Sequence, residues 1–81
     1  AIGAMRAFKE KGYRIPEDIS IVGFDNIPYS TYVDPPLTTI DVPKAYMGTV
    51  AAKRLITVIE VKDTAHLKIE MNTNFIIRQS V

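Results

Sequence analysis

Hydrophobic residues recur at helical spacing at the start of the chain. Ile2, Met5 and Phe8 stand three residues apart, with mostly small or charged residues between them. This spacing predicts an amphipathic helix over residues 1–11. Gly12 follows directly and suits the left-handed conformation in which many helices end.

Two runs rich in β-branched residues come next, and each predicts a strand. They cover residues 19–24 and residues 37–42. The first run is nearly continuous in isoleucine and valine, which is typical of a buried parallel strand. The order helix, loop, strand is that of half a βαβ unit.

The second half of the chain predicts one long helix over residues 43–60, with a proline suited to its first turn. Gly48 inside this helix costs about 1 kcal/mol relative to alanine, which predicts close packing against a neighbouring element. Residues 67–71 and 75–78 predict two closing strands. The first of these alternates apolar and charged residues, as exposed or edge strands do.

Composition limits the class of protein. The 81 residues are 47% hydrophobic and include one histidine and no cysteine, so disulfides and an ordinary zinc site are not available. The chain starts on apolar residues and shows neither a signal-peptide pattern nor an apolar run of ~18 residues that could span a membrane. We therefore expect a piece of a larger domain, beginning inside a helix, with a cytoplasmic location.

The charges and motifs argue against several functions. Ten basic and nine acidic residues are interspersed, so there is no basic stripe for nucleic acid. The serines lack a nucleophile-elbow context, His66 lies in a polar turn, and no glycine-rich phosphate loop is present. We predict neither an enzyme nor a cofactor.

Asp25 is the main candidate for chemistry. It follows the first predicted strand, and ligands of open α/β sheets bind outside the carboxyl ends of the strands. Its carboxylate can accept hydrogen bonds from hydroxyl or amine groups. Alternatively Asp25 only caps a local turn, which Asn26 and Pro28 also favour. The residues alone leave both interpretations open.

The irregular segment over residues 26–36 is more apolar than a solvated loop. Tyr29, Tyr32 and Val33 either pack back onto the parent domain or form a subunit interface, where tyrosine is enriched. Both alternatives remain open at this stage.

Taken together, these segments resemble the C-terminal part of the effector-binding core of the LacI/GalR family of bacterial transcription regulators. The resemblance runs through nearly the whole chain, and two runs carry most of it: Pro16-Glu17-Asp18-Ile19-Ser20-Ile21-Val22-Gly23-Phe24-Asp25 and Pro35-Pro36-Leu37-Thr38-Thr39. It implies an α/β fold class, as a fragment of a periplasmic-binding-protein-like two-lobe fold with mostly parallel sheets. Residues 1–81 are then the C-terminal portion of the effector-binding domain, incomplete and without the DNA-binding domain. The helix at 43–60 belongs to the N-terminal lobe, and both closing strands return to the C-terminal lobe.

The resemblance also implies functional residues. Asp25 matches the aspartate that contacts the effector, a sugar or related metabolite, and Phe24 shapes the cleft wall behind it. The face used for homodimer formation is matched by Ile2, Met5, Tyr29, Tyr32 and Val33. Operator DNA is bound by an N-terminal domain that is not in these residues, and no membrane is involved. The alternative is an exported sugar-binding protein of a transport system, which shares the fold; the details of the two runs favour the regulator.

Overall fold

Five of the six secondary-structure elements belong to one unit of the chain. The computed structural model describes residues 1–81, divided into a first unit (Ala1–Val42 with Thr73–Val81) and a second unit (Pro43–Asn72). The first unit contains α1 (Ile2–Glu10), β1 (Val22–Phe24), a 3-10 helix (Pro28–Thr31), β2 (Thr38–Asp41) and β3 (Asn74–Ile76). The second unit contains α2 (Lys44–Val61).

The three strands form one mixed sheet with β2 in the centre. β1 pairs with β2 in parallel, Phe24 opposite Ile40, and β3 pairs with β2 antiparallel. Residues 25–37 connect the parallel pair, a length that such a crossover needs. The predicted α/β class is therefore confirmed, with one parallel and one antiparallel pairing.

The first strand is shorter than predicted and is not buried. Val22 and Phe24 are 50% and 65% exposed, and β1 is an edge strand of this sheet. Residues 19–21 lie outside the ladder. The N–H of Ile21 instead donates to the carbonyl of Ser80 at 2.9 Å, and the carbonyl of Ile21 accepts a hydrogen bond from the Ser80 hydroxyl at 2.6 Å. The C-terminal segment thus takes the place of a strand partner there.

Helix α1 ends as the sequence predicts, with Gly12 in the left-handed conformation. Gly12 has φ +85°, and its N–H donates to the carbonyl of Lys9. The N–H of Tyr13 donates to the carbonyl of Phe8, and the two rings meet edge to face with centroids 5.9 Å apart. These contacts form a Schellman motif with its hydrophobic pair.

The second unit is held at the end of α2 by charged contacts. Lys62 ends the helix in the left-handed conformation. Arg54 then donates to the Asp63 carboxylate and to the carbonyl of Ala65, each at 2.8 Å. The Ala65 N–H and the Arg54 guanidinium hold the pKa of the Asp63 carboxyl below its usual value. No helix of the structure has the length and apolarity needed to cross a membrane.

One prediction for the second unit is wrong, and one stays a prediction. A Cβ at Gly48 would meet no atom of this chain within 4 Å, so the predicted packing partner of Gly48 is not among these residues. Residues 67–71 form no strand because no partner strand pairs with them, and they lie in the second unit instead of returning to the sheet. Lys68 and Glu70 nevertheless form an ion pair of 2.7 Å, consistent with extended backbone that puts residues two apart on one side.

The core of the first unit is small. Met5, Ile15 and Leu37 are its buried apolar residues, and partly buried neighbours surround them. Four polar residues are also fully buried: Ser30, Thr38, Thr39 and Ser80. No buried side-chain polar atom lacks a hydrogen-bond partner.

Ser80→Ala is expected to destabilise the protein by about 2 kcal/mol, because the Ser80 hydroxyl bridges β2 and the segment that precedes β1. It accepts the Thr38 N–H at 2.8 Å and donates to the carbonyl of Ile21. Alanine leaves both backbone groups buried without that partner. Urea unfolding of the full-length protein measures the loss, with Ser20→Ala at an exposed position as the control. Equal stability of the two variants would contradict this role.

Candidate functional site

The carboxyl ends of β1 and β2 meet at one edge of the sheet. Because the strands are parallel and Phe24 lies opposite Ile40, Asp25 and Asp41 follow at neighbouring positions. The Asp25 N–H donates to the carbonyl of Ile40 at 2.9 Å, which extends the ladder by one residue. Phe24 and Asp25 are both exposed at this edge. The two predicted effector-binding residues, which are consecutive in the chain, therefore both lie exposed at the carboxyl end of β1.

The chain turns sharply after β1. Asp25 has φ +88° and Asn26 has φ +46°, both in the left-handed region. Aspartate and asparagine adopt this region more readily than other residues with a Cβ. The Asp-Asn sequence thus allows the backbone to leave the strand within two residues and to carry Asp25 out at the sheet edge.

Asn26 ties this turn to the central strand. Its backbone N–H donates to the Thr39 hydroxyl at 3.2 Å, and its side-chain amide donates to the Asp41 carboxylate at 2.9 Å. Its amide oxygen accepts a hydrogen bond from the Arg78 guanidinium at 2.8 Å. The predicted turn is therefore present, and Asn26 binds both β2 and Arg78.

Arg78 reaches the site from the end of the chain. Its guanidinium also donates to the carbonyl of Leu37 at 2.9 Å, and its backbone N–H donates to the Thr38 hydroxyl at 2.8 Å. The sequence alone does not indicate Arg78 as part of the site, because 52 positions separate it from Asn26. A polar Asx residue after a strand was the only local indication of such a network.

The edge offers an acceptor beside an apolar surface. A carboxylate accepts hydrogen bonds from hydroxyl or amine donors. The preceding residue, Phe24, has a ring that is 65% exposed and adds apolar surface at the end of β1. This combination suits a small polar ligand with carbon faces, such as a sugar.

A separate groove gathers most of the residues predicted for the dimer face. It is open, holds about 290 Å³, and is lined by Ile2, Met5, Arg6, Lys9, Glu10, Tyr29, Val33 and Asp34. Met5 is only 3% exposed and belongs to the core, whereas Tyr29 is 61% exposed. Tyr32, 80% exposed, does not line the groove.

Charged pairs border this groove. Arg6 and Glu10 form an ion pair of 3.0 Å along α1, and Lys9 pairs with the Asp34 carboxylate at 3.5 Å. Lys9 also donates to the backbone carbonyl of Asp34. An apolar floor with a polar rim is the usual arrangement of a protein–protein interface.

Comparison with known families identifies the domain. The profile of the periplasmic binding protein-like domain matches residues 1–81. The chain is 43% identical to a probable HTH-type transcriptional repressor ExuR of Bacillus subtilis (strain 168) and 47% identical to the HTH-type transcriptional repressor PurR of Pasteurella multocida (strain Pm70). Both alignments cover all of this chain and 24% of the relative. The chain thus spans about a quarter of the length of these relatives.

Solved structures of transcriptional regulators match the same residues. A complex of the transcriptional regulator CelR with cellobiose matches with a TM-score of 0.91 and 29% identity, over 99% of this chain and 24% of that one. The lac repressor dimer bound to operator and the anti-inducer ONPF matches with a TM-score of 0.84 and 32% identity, over 99% and 28%. The chain belongs to the periplasmic binding protein-like domain family, in the branch that forms the effector-binding core of LacI/GalR regulators. The resemblance drawn from the sequence is confirmed.

Proposed function

We propose that this chain is the C-terminal portion of the effector-binding domain of a ligand-responsive, DNA-binding transcriptional repressor. The observation that carries the proposal is the exposed Asp25 at the common carboxyl edge of β1 and β2, with Phe24 beside it. The repressor names of the relatives support a regulator over an enzyme or an exported transport protein. A regulator acts where its DNA is, so the proposed location is the cytoplasm.

The proposed mechanism is a shift between closure states. Asp25 accepts hydrogen bonds from the hydroxyl groups of a sugar or related metabolite, and Phe24 forms part of the wall of the site. A ligand shifts a two-lobe equilibrium only by binding one closure state better than the other. In a homodimer that shift changes the affinity for operator DNA, which another part of the full-length protein contacts.

A binding experiment separates the two candidate classes. The full-length protein is screened by thermal shift against sugars, sugar phosphates and purines, with cellobiose as the first compound because a solved relative holds it. DNA selected in vitro from a random library is then titrated by fluorescence anisotropy with and without each stabilising compound. A regulator binds selected DNA and changes its affinity about tenfold or more with one compound. A protein that binds a compound but no DNA is the transport-type alternative.

Tyr29→Glu is expected to convert the proposed homodimer to monomer at micromolar concentrations. The substitution places a charge on the apolar groove between α1 and the 3-10 helix, where it must be desolvated if a second copy covers it. Sedimentation velocity of the full-length protein measures the change. Tyr46→Glu on α2 is the matched control, since Tyr46 is 63% exposed against 61% for Tyr29. A Tyr29→Glu protein that remains a dimer would remove the groove from the interface.

A further inference from the structure

One asparagine side chain connects the candidate effector loop to the central strand and to the end of the chain. We propose that Asn26 is a positioning residue, which holds Asp25 in its ligand-binding orientation through the hydrogen-bonded series Arg78–Asn26–Asp41. This inference rests on the proposed effector role of Asp25. It adds residues that do not touch the effector and act through the backbone that carries Asp25.

The amide of Asn26 is fixed in one orientation by the chemistry of its two partners. The Arg78 guanidinium has only donors, and an ionised Asp41 carboxylate has only acceptors. The amide oxygen therefore faces Arg78 at 2.8 Å and the amide nitrogen faces Asp41 at 2.9 Å. A half-turn of the amide would set donor against donor and acceptor against acceptor. The series is thus directional, and Asn26 has a single arrangement that satisfies it.

The same residue fixes the backbone that carries Asp25. Left-handed conformations cost residues other than glycine about 1–2 kcal/mol each, and both Asp25 and Asn26 adopt them. Their N–H groups are bound to the carbonyl of Ile40 and the hydroxyl of Thr39. With the Asn26 side chain held as well, the intervening peptide cannot rotate freely. The direction in which the Asp25 side chain leaves the sheet edge is set by this anchoring.

Arg78 is anchored independently of the loop. Its backbone and side chain bind Thr38 and Leu37, which are 0% and 3% exposed. Asp41 is part of β2 itself. Asn26 is therefore held between a carboxylate on β2 and the guanidinium of a residue that is itself bound to the buried residues Leu37 and Thr38.

Two substitutions reverse the polarity of the series without changing its shape. Asn26→Asp keeps the bond from Arg78 but brings a second carboxylate to hydrogen-bond distance from Asp41, where like charges repel. Adding Asp41→Asn restores a donor, so that the new amide donates to the new carboxylate. Aspartate tolerates the left-handed region as asparagine does, so backbone preference stays nearly constant. Asn72→Asp, at an exposed position of the second unit, is the control for added charge.

Cellobiose titration and crystallography of the full-length protein test the proposal. Asn26→Asp is expected to weaken cellobiose binding about tenfold and to move the φ angle of Asp25 out of the left-handed region. The double variant is expected to regain both the cellobiose affinity and the left-handed φ angle of Asp25, and it is compared with Asp41→Asn alone. The unfolding midpoints of the natural protein, the two single variants and the double variant are expected to stay close. The φ angle needs no ligand, so it decides the question even if cellobiose does not bind.

The outcomes distinguish failure of the positioning role of Asn26 from failure of the effector-binding role of Asp25. If Asp25 keeps its φ angle in the Asn26→Asp crystal structure, or if Asp41→Asn restores nothing, Asn26 is not a positioning residue. If Asp25→Asn binds a ligand identified in the thermal-shift screen as tightly as the natural protein does, the effector role of Asp25 itself fails. Loss of binding in Asp25→Asn with normal binding in Asn26→Asp would reject the positioning role alone.

Discussion

Asp25→Ala is expected to weaken effector binding about 100-fold or more in the full-length protein, which corresponds to about 2.7 kcal/mol. Hydrogen bonds to an ionised carboxylate contribute about 1.5–3 kcal/mol each, and alanine removes every one that Asp25 makes with the ligand. Calorimetric titration with a compound identified by thermal shift measures the loss. DNA binding without effector is expected to persist, because Asp25 belongs to the sheet edge and not to a basic surface.

Backbone strain has to be separated from the loss of the carboxylate. Asp25 has φ +88°, where alanine is disfavoured, so Asp25→Ala changes both the chemistry and the turn. Asp25→Asn keeps the left-handed preference and removes the charge, and it is expected to weaken binding about tenfold. Glu17→Gln removes a carboxylate from an exposed position in the connector before β1 and serves as the control. Unchanged effector affinity in both Asp25 variants would refute the assignment.

Much of the first unit could be predicted because local chemistry determines it. The spacing of Ile2, Met5 and Phe8 produced α1, and Gly12 produced the Schellman end. The β-branched run at 37–42 became β2 within one residue at each end. The contacts that end α1 lie within a few residues along the chain, and the local β-propensity of residues 37–42 was sufficient to locate β2 although its partners are distant.

The errors arose where a distant partner decides the structure. Residues 19–21 have strand-like composition, but Ser80 binds Ile21 in place of a strand. Residues 67–71 alternate correctly for an edge strand and have no strand beside them. Alternation sets which side chains share a face, whereas a strand also requires a hydrogen-bonded neighbour.

The candidate site also contains one residue that could be predicted from local sequence and one that could not. Asp25 could be found because the rule that ligands bind at strand ends needs only the order of the elements. Arg78 could not, because its role depends on how the end of the chain lies across β2. The positioning of the turn is therefore a tertiary property, although the turn residues themselves are local.

Gly23→Val is expected to destabilise the protein by about 3 kcal/mol, since larger side chains forced into a packed core cost roughly 1–3 kcal/mol and occasionally more. A Cβ at Gly23 would lie 2.8 Å from Cδ2 of Leu37 and 3.3 Å from the Cβ of Ala1. Leu37 is 3% exposed and cannot move outward without opening the core. The glycine in the middle of β1 is thus required by space, and urea unfolding of the full-length protein measures the effect.

A double-variant cycle tests whether Leu37 is the cause. Leu37→Val removes the Cδ atom that a new methyl group would meet, so Gly23→Ala is expected to cost about 1 kcal/mol less in that background. Gly3→Ala in α1 adds the same methyl group with no atom within 4 Å and is expected to be neutral or slightly stabilising. Equal costs of Gly23→Ala with Leu37 and with valine at that position would assign the glycine to something other than this contact.

The Gly23 substitutions are also expected to affect the candidate effector site. Because β1 carries Asp25 at its end, a shift of β1 away from Leu37 also moves Asp25. The Gly23 variants should therefore lose effector affinity along with stability, whereas Gly3→Ala should lose neither.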